Sequence, residues 1–326
     1  MTLHDEHIAA NPAGLGSAAL AVEAADYAKD AEDPIEADGA VARSQWSLIL
    51  RRFLHHKLAV VALMVLVLFY LAALFAPQLA PYELTPKLTG ETLNQARQGP
   101  SSAHWFGTDE LGRDQLTRVL YAARVSLVIG LLVALLSTAI GTAIGAIAGY
   151  IGGRMDKSMM FVTDLVLVIP GLAILMIAQK GLGGKTSTII FILSLLFWTT
   201  IARVIRGVFL SLKEKEFVEA AKAIGCSSSR IIFRHMLPNT VGPIIVNFTL
   251  VVGGAILIES TLSFLGFGVD PPDVSWGNMI AQSKNSVGSS TAYLIYFPGL
   301  ALFLTILAAN FLGDGLRDAL DPQSGK

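Results

Sequence analysis

Two carboxylates lie where carboxylates are rare. Asp164, in VTDLVLVIPGL, and Glu259, in AILIESTLSFLGFG, sit well inside long apolar runs. An acid in a bilayer core either makes a polar contact between helices or lines a solvated path, and both readings stand open for both residues. Arg203, near one end of another apolar run, is long enough to carry its charge back to the membrane surface. A third candidate is QKGLGGKTS, residues 179–187, which ends in the Gly-Lys-Thr of a phosphate-binding loop. That chemistry needs Gly-x4-Gly-Lys-Ser/Thr between a strand and a helix, so that backbone N–H groups cradle the phosphates. Here Gln179 stands at the first glycine position and the loop follows an apolar helix, so it reads as a flexible turn. No Ser/His/Asp or paired-carboxylate arrangement suits a catalytic pocket. The single cysteine, Cys226, cannot pair internally, and no Cys/His cluster has metal-ligand spacing. No catalytic, metal or cofactor residues are therefore expected in this chain, and the energy for any work must come from an ion gradient or a partner.

The elements that hold these residues follow from composition. Of 326 residues, 53% are hydrophobic and 15% charged, against about 25% charged in soluble domains. The expected fold class is an all-α polytopic membrane protein. Six apolar runs are long enough to span: 58–76, 125–151, 159–179, 187–205, 243–264 and 293–313. In the second, Gly141, Gly145 and Gly149 form a GxxxGxxxG row that lets another helix approach closely. In the third, Pro170 removes a backbone donor and should kink the helix. With the N-terminus cytoplasmic, sixteen of the 24 Lys and Arg fall on inside segments, the orientation that basic residues favour. Both termini are then cytoplasmic. The first apolar run begins too far into the chain for a cleaved secretory leader. Residues 1–42, with nine acidic and few large apolar side chains, are expected to be a disordered cytoplasmic tail. Residues 43–76 read as an amphipathic segment and first span, 77–124 as extracytoplasmic, 125–313 as the membrane core and 314–326 as a cytoplasmic end. The net charge of −1 offers no reason to expect a nucleic-acid partner.

The stretch EFVEAAKAIGCSSSRIIFRHMLPN, 216–239, is a hydrophilic island inside the cytoplasmic loop 206–240. Residues 214–224 have helical periodicity, with Phe217, Ala220, Ala221 and Ile224 on one apolar face. Gly225 can end that helix in the left-handed conformation, serines 227–229 can cap a second one, and Pro238 is expected to close it. Such a hairpin either lies on lipid headgroups or docks another body, for which the small alanines leave room.

Glu219-Ala220-Ala221, then Gly225, then Leu237-Pro238 resembles the EAA loop of ABC-importer permeases. The resemblance implies that the loop is a coupling helix inserted into a groove of a cytoplasmic ATPase, with Phe217, Glu219, Ala220, Ala221, Gly225, Arg230, Leu237 and Pro238 as coupling residues. HWFGTDELGRDQLTRVLYAARVSL (104–127), RHMLPN (234–239), ESTLSFLGFGVDPPDVSWGNMI (259–280) and LGDGLRDALDP (312–322) resemble the dipeptide/oligopeptide/nickel permeases, C-type subunit. That likeness runs from about residue 45 to 322; the acidic tail is longer than the family needs. It implies a type I importer fold of five core helices plus an N-terminal one in a bacterial inner membrane. It also implies a heterodimer with a B-type permease, two ATPase subunits that hold ATP and Mg, and an extracytoplasmic binding protein. Expected cargo is di- or oligopeptide, with nickel, glutathione or oligosaccharide as alternatives. Trp105, Asp109, Arg113, Asp114, Asp270, Asp273 and Trp276, in the outer loops, are either contacts for the binding protein or local loop caps and headgroup anchors. A gradient-driven carrier should show inverted-repeat halves with matched broken helices, which the sequence lacks. A membrane-surface scaffold would leave the spaced EAA pattern unexplained.

Overall fold

Apolar runs matched to the bilayer set the helices. The computed structural model describes residues 45–86 and 89–320; the acidic tail expected over 1–42 lies outside them. In chain order the principal helices are α1 (Gln45–His55), α2 (Lys57–Leu74), α3 (Gln115–Ile151), α4 (Gly153–Val168), α5 (Gly171–Leu182), α6 (Thr186–Lys213), α7 (Glu216–Ala223), α8 (Val241–Phe264), α9 (Trp276–Gln282) and α10 (Tyr293–Leu320). Among the described residues, five helical stretches are long and apolar enough to cross a membrane, and the pair α4 and α5 makes a sixth span if counted together.

Two spans differ from expectation. The third is not a kinked rod but two helices bent by 75°, with Pro170 at the break and α5 starting immediately after it. Proline stops α4 because it offers no N–H to the turn behind it, yet its fixed φ suits the start of the next helix. The second span begins ten residues before the expected 125. Arg118 and Arg124 hide that turn from any hydropathy window, but Asp114 caps it by accepting from the Thr117 N–H at 2.8 Å. At 1.5 Å per residue α3 is roughly 55 Å long, so it projects well beyond a hydrocarbon core of about 30 Å.

The glycine row decides how the core packs. A Cβ on Gly141 would meet the Trp198 carbonyl at 2.6 Å, one on Gly145 the Ala202 carbonyl at 2.5 Å, and one on Gly149 the Cβ of Phe209 at 2.6 Å. With only hydrogen there, α3 and α6 lie backbone to backbone. Helix α8 packs on α3 and α10, and α2 lies against α10. By contrast α4 and α5 touch α6 and bury almost nothing: Thr163 on α4, Leu175 and Gln179 on α5.

Candidate functional sites

The island folds as a capped rod followed by a long helical run. Helix α7 ends in a Schellman motif: the Gly225 N–H donates to the Lys222 carbonyl and the Cys226 N–H to the Ala221 carbonyl, both at 3.0 Å. Gly225 has φ +79° and would meet no atom with an added Cβ, so glycine is required there by backbone conformation and not by space. Ser227 then opens a second helical run with its backbone, its side chain making no cap bond.

Two local expectations are corrected. The apolar face assigned to Phe217, Ala220, Ala221 and Ile224 is split. Val218 and Ala221 are buried against the chain's own core with Ile231 and Met236, while Phe217, Ala220 and Ile224 point away, Ile224 being 80% exposed. Helical spacing admits both stripes, and only packing separates them. Pro238 does not close the second helix. The run from Ser228 continues to Phe264, passing through a π turn at Ile231–Met236 and a 3-10 turn at Leu237–Thr240. The wide turn shifts the carbonyls that a proline ring would strike in regular α winding, so the helix passes through Pro238. The loop is thereby joined directly to α8. Glu216, Glu219, Lys222, Phe233 and Arg230 are exposed around the outer stripe, Leu237 is half-buried and Pro238 exposed.

The membrane-embedded acids have opposite surroundings. Glu259 is fully buried; the Ser263 hydroxyl donates to its Oε1 at 2.7 Å and the Ser260 hydroxyl reaches Oε2 at 3.5 Å. Asp164 accepts from Arg203 across α4 and α6, and both side chains stay open, 59% and 49% exposed. Arg203 is held there by its partner. One turn further along α6, Arg206 grips Asp156 with two donors, fixing α4 against α6 at its other end.

The outer loops use most of their polar groups internally, and the surface-contact reading is corrected for three residues. Asp109 is buried; its carboxylate accepts from the Leu111 and Arg113 N–H groups at 2.8 and 2.9 Å and from the Arg113 and Arg118 guanidinium groups. Asp114 is buried as the α3 cap and bonds His104 Nδ1 at 2.9 Å. Trp276 is 1% exposed and donates from Nε1 to the Val119 carbonyl at 3.1 Å. Short polar side chains beside a turn satisfy backbone donors before they reach solvent. Asp270 and Asp273 are exposed but tied to the 183–186 turn, accepting from the Gly184 N–H and the Thr186 hydroxyl. The Gly-Lys-Thr loop is thus a pinned turn after helix α5. Arg113 is partly covered, and Trp105, 69% exposed, is the one residue of the set that stands fully out. The sequence reading missed Arg118, buried at 5% exposure; its place four residues after a capping aspartate was the available signal. Asp114→Ala is expected to lower unfolding free energy by about 1–2 kcal/mol through loss of the cap, with Asp114→Asn retaining most of it. Thermal unfolding in detergent checks this, and equal stability of all three chains would contradict it.

Comparison with known proteins places this geometry. Residues 141–326 match the family described as binding-protein-dependent transport system inner membrane component, and residues 44–100 match the N-terminal TM domain of oligopeptide transport permease C. The chain is 41% identical over 281 residues to the glutathione transport system permease protein GsiD of Shigella flexneri serotype 5b, covering 86% of this chain and 91% of that protein. Identity to GsiD of Escherichia coli O157:H7 is 39% over the same shares. Among solved structures, one of inward facing conformations of the MetNI methionine ABC transporter superposes with TM-score 0.52 at 15% identity, over 64% of this chain and 96% of that one. That likeness concerns the fold.

Proposed function

The chain belongs to the family of binding-protein-dependent transport system inner membrane components, and from that premise we propose that it imports small peptides, glutathione foremost, as half of an ATP-driven passage. It is a multi-pass inner-membrane permease subunit of an ABC importer and not itself an enzyme. Such a subunit works with ATPase subunits and a second permease. The proposed arrangement adds a B-type permease as the second half, a binding protein on the outer face with Trp105 as its most accessible contact, and cytoplasmic termini. Glutathione is itself a short peptide with free charged ends, so the similarity to GsiD and the peptide reading point to one cargo chemistry.

One observation carries the coupling role: the outward stripe of Phe217, Ala220 and Ile224 on α7. A rod of two turns, closed at its C-terminal end by the Gly225 corner and followed by the helical run that becomes α8, transmits displacement instead of absorbing it. Closure of the ATPases would then drive α8 and switch the passage between inward- and outward-open forms. The fringe carries both signs, Glu216 and Glu219 beside Lys222 and Arg230, and calls for complementary charges of both kinds on the ATPase. Glu219→Lys is expected to reduce co-purification of the ATPases severalfold without changing membrane insertion, and unchanged recovery would count against docking at this helix. The reading as a whole is tested by uptake of labelled glutathione into proteoliposomes holding the complete complex. Uptake that persists after ATP depletion would instead favour a gradient-driven carrier.

A further inference from the structure

Asp164 and Arg203 present opposite charges side by side on a surface the chain leaves uncovered. Asp164 lies five residues into the apolar run 159–179 and Arg203 two residues before the end of the run 187–205, toward the same end of both spans. Charged groups within a membrane span are disfavoured against lipid and almost always face a bundle interior or a water-filled cavity. Yet 59% and 49% of these two side chains is exposed, so the chain's own bundle does not enclose them. On α4 the exposed neighbours are apolar, Phe161, Leu165 and Val168, and the polar face continues on α6 alone. Thr200 and Gly207 are exposed on the same face of α6, one turn to either side of Arg203. Glu259, sealed among serines, has no such outlook.

We infer that the Asp164–Arg203 pair lines the passage and forms a subsite for cargo bearing both a carboxylate and an ammonium group. Arg203 takes the carboxylate and Asp164 the ammonium. The chemistry favours a doubly charged guest. A singly charged cargo that opens the pair leaves one protein charge without a partner, whereas a zwitterion replaces both pairings at once and keeps every charge compensated. The pair is therefore closed when the passage is empty and opens selectively. This inference rests on the importer reading and deepens it by naming the cargo charges and the side chains that meet them.

The test uses the complete complex in proteoliposomes. Binding-protein-stimulated ATP hydrolysis examines the importer reading by itself. For the subsite, Thr200→Cys is treated with a cationic, membrane-impermeant methanethiosulfonate, with the parent chain and its lone Cys226 setting the background. Reaction is expected in at least one of the nucleotide-free and vanadate-trapped states; none in either overturns the passage assignment. Uptake of dialanine, its C-terminal amide and N-acetyl-dialanine is then compared. Arg203→Gln is expected to slow dialanine about tenfold and the amide no more than about twofold, and Asp164→Asn to show the same contrast against the N-acetyl form. Equal loss of all three cargoes overturns the subsite. So does full recovery of all three in the swapped double variant Asp164→Arg with Arg203→Asp, because a purely interhelical pair tolerates exchange. Absence of ATP-driven uptake of dialanine and glutathione alike by the wild type overturns the cargo class even where hydrolysis is stimulated.

Discussion

Replacing Gly225 by valine is expected to cut ATP-dependent uptake by at least about tenfold while the complex still inserts and assembles. The residue follows α7 at φ +79°, where an L side chain is disfavoured by roughly 1–2 kcal/mol and a β-branched one by more. The strain has one means of release. Rotation to negative φ breaks the two bonds from the Gly225 and Cys226 N–H groups, and with them the rigid join between α7 and the run that becomes α8. No neighbour blocks the new side chain, so the protein loses the corner and not its packing. Gly225→Asn, which tolerates the left-handed conformation, should retain most of the uptake. ATP hydrolysis measured beside uptake separates the possibilities: hydrolysis that continues without transport is uncoupling. Wild-type uptake by the valine variant would sink the lever account.

Gly145→Leu should act in the opposite way, by destroying packing while leaving every turn intact. Its Cβ would lie 2.5 Å from the Ala202 carbonyl and 3.0 Å from the Arg206 nitrogen. Those are main-chain atoms and cannot turn aside as a side chain can. Helices α3 and α6 must then separate along the row that also holds Gly141 and Gly149, at a loss near the upper end of the overpacking range, about 3 kcal/mol. Folded protein recovered in detergent should fall steeply. Gly299→Leu is the control, because its Cβ would enter open space on α10. Equal thermal stability of the two variants would refute close approach at Gly145.

Both predictions begin from residues that the sequence already singled out, yet differ in how much it said. Gly225 was legible because a glycine just past an amphipathic segment has one common structural use. The GxxxGxxxG row announced close packing but not against which helix, since α6 is reached only after the chain turns back through α4 and α5. Local bonding accounts for the misplaced details. A hydropathy window could not see the start of α3 because Arg118 and Arg124 interrupt it; Arg118 is paired to Asp109 inside the outer-loop structure, while Arg124 is exposed. Pro238 looked like a terminator because proline normally is one; the π turn before it is a feature of winding that spacing does not reveal.

What the sequence determined by itself was the set of apolar segments that become five membrane-length helices and one bent pair, the corner at Gly225 and the family, because these depend on apolar length, backbone permissiveness and contiguous motifs. What only the tertiary structure decided was direction. It turned Val218 and Ala221 inward and Phe217 and Ile224 outward, sealed Glu259 among serines, left the Asp164–Arg203 pair open, and drew Asp109, Asp114 and Trp276 into the protein. Direction depends on which distant helix arrives against each face, and residues far apart in the chain set it together.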